Sequence, residues 1–125
     1  MTQSSNHRGE SDWDNAWFRV DPRPNCAVIT AGGELDMHSS VGLDRALRAA
    51  ALFSPCLVID LSAVSFVDST ALGVLISARR RLQSVGGQAM LVHPPALVRR
   101  LLAGTQLQQS FAVFETLDEA MATIG

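Results

Sequence analysis

The chain has 125 residues, enough for one domain and too few for two. Its formal charge is −2, and all ten cationic side chains are arginines; no basic stripe is left to neutralise phosphates, which excludes a general nucleic-acid binder. A hydrophobic content of 47% fits a globular α/β or α+β protein that buries roughly two-thirds of its unfolded surface without disulfide or metal staples.

The two cysteines, Cys26 and Cys56, sit at the edges of apolar runs without a CxxC or Cys/His cluster. They read as small core hydrophobes in a reducing compartment. His7, His38 and His93 lack metal-ligand spacing, so neither metal nor cofactor is expected. The N-terminus has no apolar leader core and no stretch is long enough to span a bilayer, which makes the cytoplasm the default location.

Residues 1–12 are polar and aperiodic and read as a disordered tail, leaving 13–125 as a single domain. Trp17, Phe18 and Val20 suggest a first strand; Trp13 either packs under the sheet or stands exposed. The turn Asp21–Asn25 leads into a second strand, Cys26–Ala31, which forms a hairpin with the first. Gly32 and Gly33 allow a bulge or a close backbone approach. Asp36, His38, Ser39 and Ser40 form a helix entry, and Leu43, Leu47 and Ala50 or Ala51 recur at helical spacing to about Leu52. Leu57–Leu61 is a short continuous apolar strand of the kind covered on both faces.

The stretch from Asp60 to Leu75 carries the most chemistry. Val67-Asp68-Ser69-Thr70 places an acid and two hydroxyls at a strand-to-helix turn, where loops carry function. A helix to about Ser84 follows, with Ala71, Leu75, Ala78, Leu82 and Val85 as its stripe. Leu72, Val74 and Ile76 are surplus apolar residues that either widen the buried face or form a partner patch beside Ser69. Asp68, Ser69 and Thr70 are helix-capping types; the alternative is a hydroxyl that is modified or docks. A nucleophile elbow would need flanking glycines and a phosphate loop would need a lysine, and this chain has neither. Catalysis at Ser69 would need a base, for which His38 and His93 are the only candidates; no spacing ties either to Ser69, and no catalytic residue is assigned.

Arg79-Arg80-Arg81 complements the helix dipole at the C-terminus of that helix, with anion binding as the alternative, and Gly86-Gly87 stops it. A strand from Ala89 to Val92, a helix from Pro95 to Ala103 closed by Gly104, a strand Phe111–Phe114 and a helix Thr116–Ile124 complete the chain. Thr116 and Glu119 are spaced as a capping box. The order β-β-α-β-α-β-α-β-α predicts an α/β fold: a mixed sheet with parallel βαβ units and helices mainly on one face.

Gly33-Glu34-Leu35-Asp36, the run Asp60-Leu61-Ser62 through Phe66-Val67-Asp68-Ser69-Thr70-Ala71-Leu72-Gly73-Val74-Leu75, and Gly86-Gly87 together resemble the anti-sigma factor antagonists, the bacterial STAS domains. The resemblance runs over about residues 20–124, with Pro95, Val98, Leu101, Leu107, Glu119 and Ala120 following the later part of the pattern. It implies a phosphoprotein that switches partners. Its unphosphorylated form would bind an ATP-bound anti-sigma factor serine kinase and free a sigma factor; phosphorylation would block binding, and a serine phosphatase would reset it. Carried over by position, the phosphoacceptor is Ser69, with Thr70 in reserve. Asp36, Asp68, Ser69, Thr70, Leu72, Gly73 and Ile76 would form the partner surface. The resemblance also implies a monomer. This chain has Ala71 where glycine is usual. The alternative within the same fold is a scaffold or small-ligand-binding domain that does not switch.

Overall fold

The computed structural model describes residues 10–13, 15–103 and 111–124. Six strands and four helices follow one another as β1 (Glu10–Trp13), β2 (Ala16–Pro22), β3 (Ala27–Leu35), α1 (Ser40–Ala51), β4 (Cys56–Val67), α2 (Ser69–Gln83), β5 (Gln88–Val92), α3 (Ala96–Ala103), β6 (Ala112–Phe114) and α4 (Leu117–Ile124). The strands lie in the sheet in chain order. β1, β2 and β3 are antiparallel neighbours, whereas β3, β4, β5 and β6 run parallel. Three crossovers that step the same way with the same hand must put their helices on one face. Accordingly, Leu43 and Leu47 of α1, Leu75 and Leu82 of α2 and Val98 of α3 share a core with Ile29, Leu57, Ile59 and Leu91. On the other face, among the described residues, α4 is the one helix, its Ala120 packed against Val28, Val58 and Met90.

The N-terminal boundary differs from the sequence expectation. Residues 10–12, read as tail, belong to β1, with Glu10 opposite Arg19 and Asp12 opposite Trp17. Strand pairing is a backbone interaction, so polar side chains on an edge strand leave little trace in the hydrophobic pattern.

β4 is also longer than expected, twelve residues ending at Val67 rather than at Leu61. Its register with β3 jumps twice: Thr30 faces Asp60 but Gly32 faces Ala63, and Gly33 faces Val64 but Glu34 faces Phe66. β4 thus carries an extra residue at each of two bulges, and its burial changes from the continuous run Leu57, Val58 and Ile59, covered on both faces, to every third residue, Leu61, Val64 and Val67. The first bulge is fastened by Asp60, whose Oδ1 accepts from the Ser62 N–H at 3.0 Å and the Ser62 hydroxyl at 2.7 Å.

The two glycines opposite β4 are both needed. Gly32 pairs directly with Trp17, and a Cβ there would run into the indole ring. Gly33 has φ +87°, and the Asn15 carbonyl oxygen occupies the place of its Cβ. That carbonyl also accepts the Glu34 N–H at 2.8 Å.

Helix α1 is entered through Asp36. Its Oδ1 accepts the backbone N–H groups of His38 and Ser39, both at 2.9 Å, while the Ser39 hydroxyl donates to the Glu34 carbonyl. Hydrogen bonds from Ser39 are the main reason that the Asp36 carboxyl titrates below the usual aspartate range. At α4 the Thr116 hydroxyl accepts the Glu119 N–H at 3.1 Å, but Glu119 reaches back to the Glu115 N–H, one residue earlier than in a regular capping box.

Two expectations follow. Gly32→Ala should displace Trp17 and destabilise the domain by about 1–3 kcal/mol, read by urea unfolding. The Asp36 carboxylate contributes stability that is complete above the unfolded aspartate value of about 3.9 and is lost as pH falls through its lower folded value. Asp36→Asn should therefore flatten the acid limb of the stability–pH curve below about pH 4, followed by circular dichroism.

Candidate partner-docking site

β3 and β4 end together, with Leu35 paired to Val67. The next residues, Asp36 and Asp68, consequently leave the sheet side by side at one edge. The Asp68 N–H donates to the Leu35 carbonyl at 2.9 Å and extends the ladder by one bond. Each aspartate then opens a helix. Asp68 has extended backbone, φ −93° and ψ 179°, and its Oδ1 accepts the Ala71 N–H at 2.9 Å.

This arrangement separates the two meanings of the Asp-Ser-Thr triplet. Asp68 does the capping. Ser69 and Thr70 occupy the first two positions of α2, both exposed, and among the described residues neither hydroxyl has a hydrogen-bond partner. A helix N-terminus with its acceptor already in place tolerates further negative charge nearby, because the helix dipole favours it.

The surroundings are apolar and acidic. Met37 is 71% exposed, Val41 47% and Phe66 45%. Met37 follows Asp36 and Phe66 lies two residues before Asp68, so both belong to the same edge. Gly73 is exposed and Ile76 half-buried, one and two turns along α2. Glu34, Asp36 and Asp68 supply carboxylates at the ends of the two central parallel strands.

Leu72, expected at the partner surface, is buried in the main core and leaves little for a partner to touch. Ala71 is wholly buried, so the methyl that replaces the usual glycine packs inward, away from the exposed hydroxyls. The stripe of α2 ends at Leu82; Val85 lies beyond the helix and is 68% exposed. The arginine run divides three ways. Arg79 is buried with its guanidinium 6.0 Å from the Phe111 ring centroid, Arg80 is exposed, and Arg81 approaches Asp44 at 3.9 Å.

Of the histidines weighed as bases, His38 lends its N–H to the Asp36 turn. His93, with φ 46°, follows β5 and has Nδ1 3.4 Å from Glu115. Arg99 donates to both Glu115 oxygens at 2.8 and 3.0 Å, and this pairing chiefly holds the Glu115 carboxyl below its ordinary range. No hydrogen bond joins either imidazole to Ser69 among the described residues. The described residues contain no cluster of three or more His, Cys, Asp or Glu side chains able to hold a metal ion, and no helix long and apolar enough to cross a membrane. The expected closure by Gly104 and the position of Leu107 fall outside the described residues.

Sequence reasoning missed Met37, Val41 and Phe66. Phe66 was hidden by the bulges, which turn outward a residue that simple alternation cannot assign. Met37 could have been found, as a large apolar residue between a strand end and a helix start with no periodic partner.

The profile of the STAS domain matches residues 18–120. Over 115 residues the chain is 31% identical to the anti-sigma-F factor antagonist RsfB of Mycobacterium tuberculosis, covering 89% of this chain and 91% of that protein. The crystal structure of an anti-sigma factor antagonist from Mycobacterium paratuberculosis superposes with a TM-score of 0.78 at 32% identity, covering 91% of this chain and 97% of the other. Bacillus SpoIIAA in its phosphorylated form shares the fold at a TM-score of 0.72 and 22% identity, over 86% and 99% of the two chains. With the profile spanning most of the chain and the mycobacterial relative aligned over nearly its whole length, the chain belongs to the STAS domain family, among the anti-sigma factor antagonists.

Proposed function

We propose that this protein is a phosphorylation-controlled anti-sigma factor antagonist. Unphosphorylated, it docks through the Asp36/Asp68 edge on an anti-sigma factor that is an ATP-bound serine kinase, and a sigma factor is freed. That kinase phosphorylates Ser69 and ends the docking; a serine phosphatase restores it. The exchange takes place in the cytoplasm, without direct contact with nucleic acid. The observation that carries this reading is the exposed, uncommitted Ser69 hydroxyl next to an aspartate that already caps the helix.

The electrostatics suit such a switch. Phosphate adds a charge of about −1.5 to −2 and three acceptor oxygens. At the start of α2 the fold can accept it. On the docking surface it joins Glu34, Asp36 and Asp68, and a partner that buries this edge meets concentrated negative charge. Each ~1.4 kcal/mol of repulsion lowers affinity tenfold, so a modest penalty is enough. Thr70, also exposed, is the reserve acceptor.

The fold provides no reason for Gly73. It lies inside α2, exposed, and a Cβ there would meet no atom within 4 Å. Glycine in a helix costs about 0.5–1 kcal/mol relative to alanine. The bare backbone one turn below Ser69 is accounted for if a partner approaches closely there.

Pull-down from a host lysate with wild type, Ser69→Ala and Ser69→Asp as bait tests the switch. Wild type and Ser69→Ala should retain an ATP-binding kinase that Ser69→Asp loses; equal recovery on all three would favour a scaffold or ligand-binding domain that does not switch. Gly73→Ala should raise unfolding stability by about 0.5–1 kcal/mol while weakening kinase capture. Stabilisation with undiminished capture would remove Gly73 from the docking surface.

A further inference from the structure

The second face of the sheet holds a group of sulfur atoms that partner switching does not use. Cys26 immediately precedes β3 and Cys56 begins β4. The parallel register pairs Ala27 with Leu57, which brings the two cysteines level on neighbouring strands. Both side chains pack into the small core under α4. Both are free thiols. Neighbouring strands run about 4.8 Å apart, within the roughly 4.4–6.8 Å Cα separation that a disulfide accepts.

The two thiols differ in environment. Cys26 is buried, with its Sγ 3.8 Å from Met121 Sδ, and burial pushes its thiol above the ordinary cysteine range. Cys56 is half-buried, with its Sγ 3.6 Å from the Gln88 side-chain amide. A shallow cavity of about 220 Å³, bounded by Arg23, Pro24, Asn25, Cys26, Met121 and Ile124, opens beside Cys26.

We propose that Cys26 and Cys56 form a redox-active dithiol, which a peroxide converts to a disulfide tying the start of β3 to the start of β4. The Cys56 thiolate attacks the peroxide, forming an S–O bond as the O–O bond breaks; the departing hydroxide takes up a proton as water and leaves a sulfenic acid. The Cys26 sulfur then attacks the sulfenic sulfur. The S–S bond forms, the S–O bond breaks, and the hydroxyl leaves with the Cys26 proton as a second water. Two thiols and one hydrogen peroxide give one disulfide and two waters. Cys56, the more accessible thiol, is the attacking residue, and Cys26 the resolving one. The bridge lies at the opposite end of β4 from Ser69 and stands independently of the phosphorylation reading.

The test treats the full chain with a small excess of hydrogen peroxide, alkylates the remaining thiols under denaturing conditions and maps them by mass spectrometry. The expected product is a monomer about 2 Da lighter that has lost both thiols together and recovers both on treatment with a thiol reductant. Its peptide map should show residues 26 and 56 cross-linked. Cys26→Ser should carry Cys56 on to the sulfinic acid, about 32 Da heavier, and Cys56→Ser should slow loss of the Cys26 thiol by about tenfold. The proposal is overturned if the wild-type chain oxidises its two cysteines independently at the single-variant rates, or forms only intermolecular disulfides. The wild-type experiment needs no substituted chain to fold.

Discussion

The parallel pairing of β3 with β4 is the constraint on which the rest of the molecule depends. Both strands lie at the centre of the sheet, and their inward faces supply much of the main core. β4 spends two extra residues on bulges, yet the strands still finish level at Leu35 and Val67. That shared finish sets Asp36 beside Asp68, α1 beside α2, and the exposed Ser69 at the same sheet edge as Met37 and Phe66. A slip of one residue in the last segment would turn Val67 outward and carry Asp68 away from the Leu35 carbonyl that its N–H now meets.

The fold class was legible because regular segments follow simple periods. Leu43 and Leu47 in α1, and Ala71, Leu75, Ala78 and Leu82 in α2, repeat at helical spacing, and each is buried. The end of β4 was not legible, for a definite reason. Leu61, Val64 and Val67 repeat every three residues, a pattern closer to a helix than to a strand, and only the bulges make it a strand pattern. β1 escaped because an edge strand can be held by its backbone alone. At the candidate site, Asp68 and Ser69 were found together but their roles could not be divided from sequence, since aspartate and serine cap helices about equally well. The backbone decides: Asp68 is extended and Ser69 is already helical.

The arginines show how the same side chain serves different ends according to helix phase. Successive positions on α2 are about 100° apart, so Arg79, Arg80 and Arg81 cannot share a surroundings. Arg79 turns inward over Phe111, Arg80 faces solvent and Arg81 reaches across to α1, where Asp44 also holds Arg48 at 2.9 Å. A charge run that looks uniform in sequence is divided between packing, solvation and a bridge between helices.

The bulged end of β4 has a consequence for how new specificities can arise. Between the anchors Leu61, Val64 and Val67 stand two exposed pairs, Ser62 with Ala63 and Ser65 with Phe66. In an alternating strand every second side chain is committed to the core; here two of every three are released to the surface. The last of those pairs adjoins the proposed docking edge, where Met37, Ser69, Thr70 and Gly73 are also outside the core. Under the proposed docking, the side chains that would meet a partner are therefore drawn from positions that carry little folding energy. Two copies of such a domain could diverge until neither recognises the other's partner while keeping the same interior, and one cell could run several insulated switches on one scaffold.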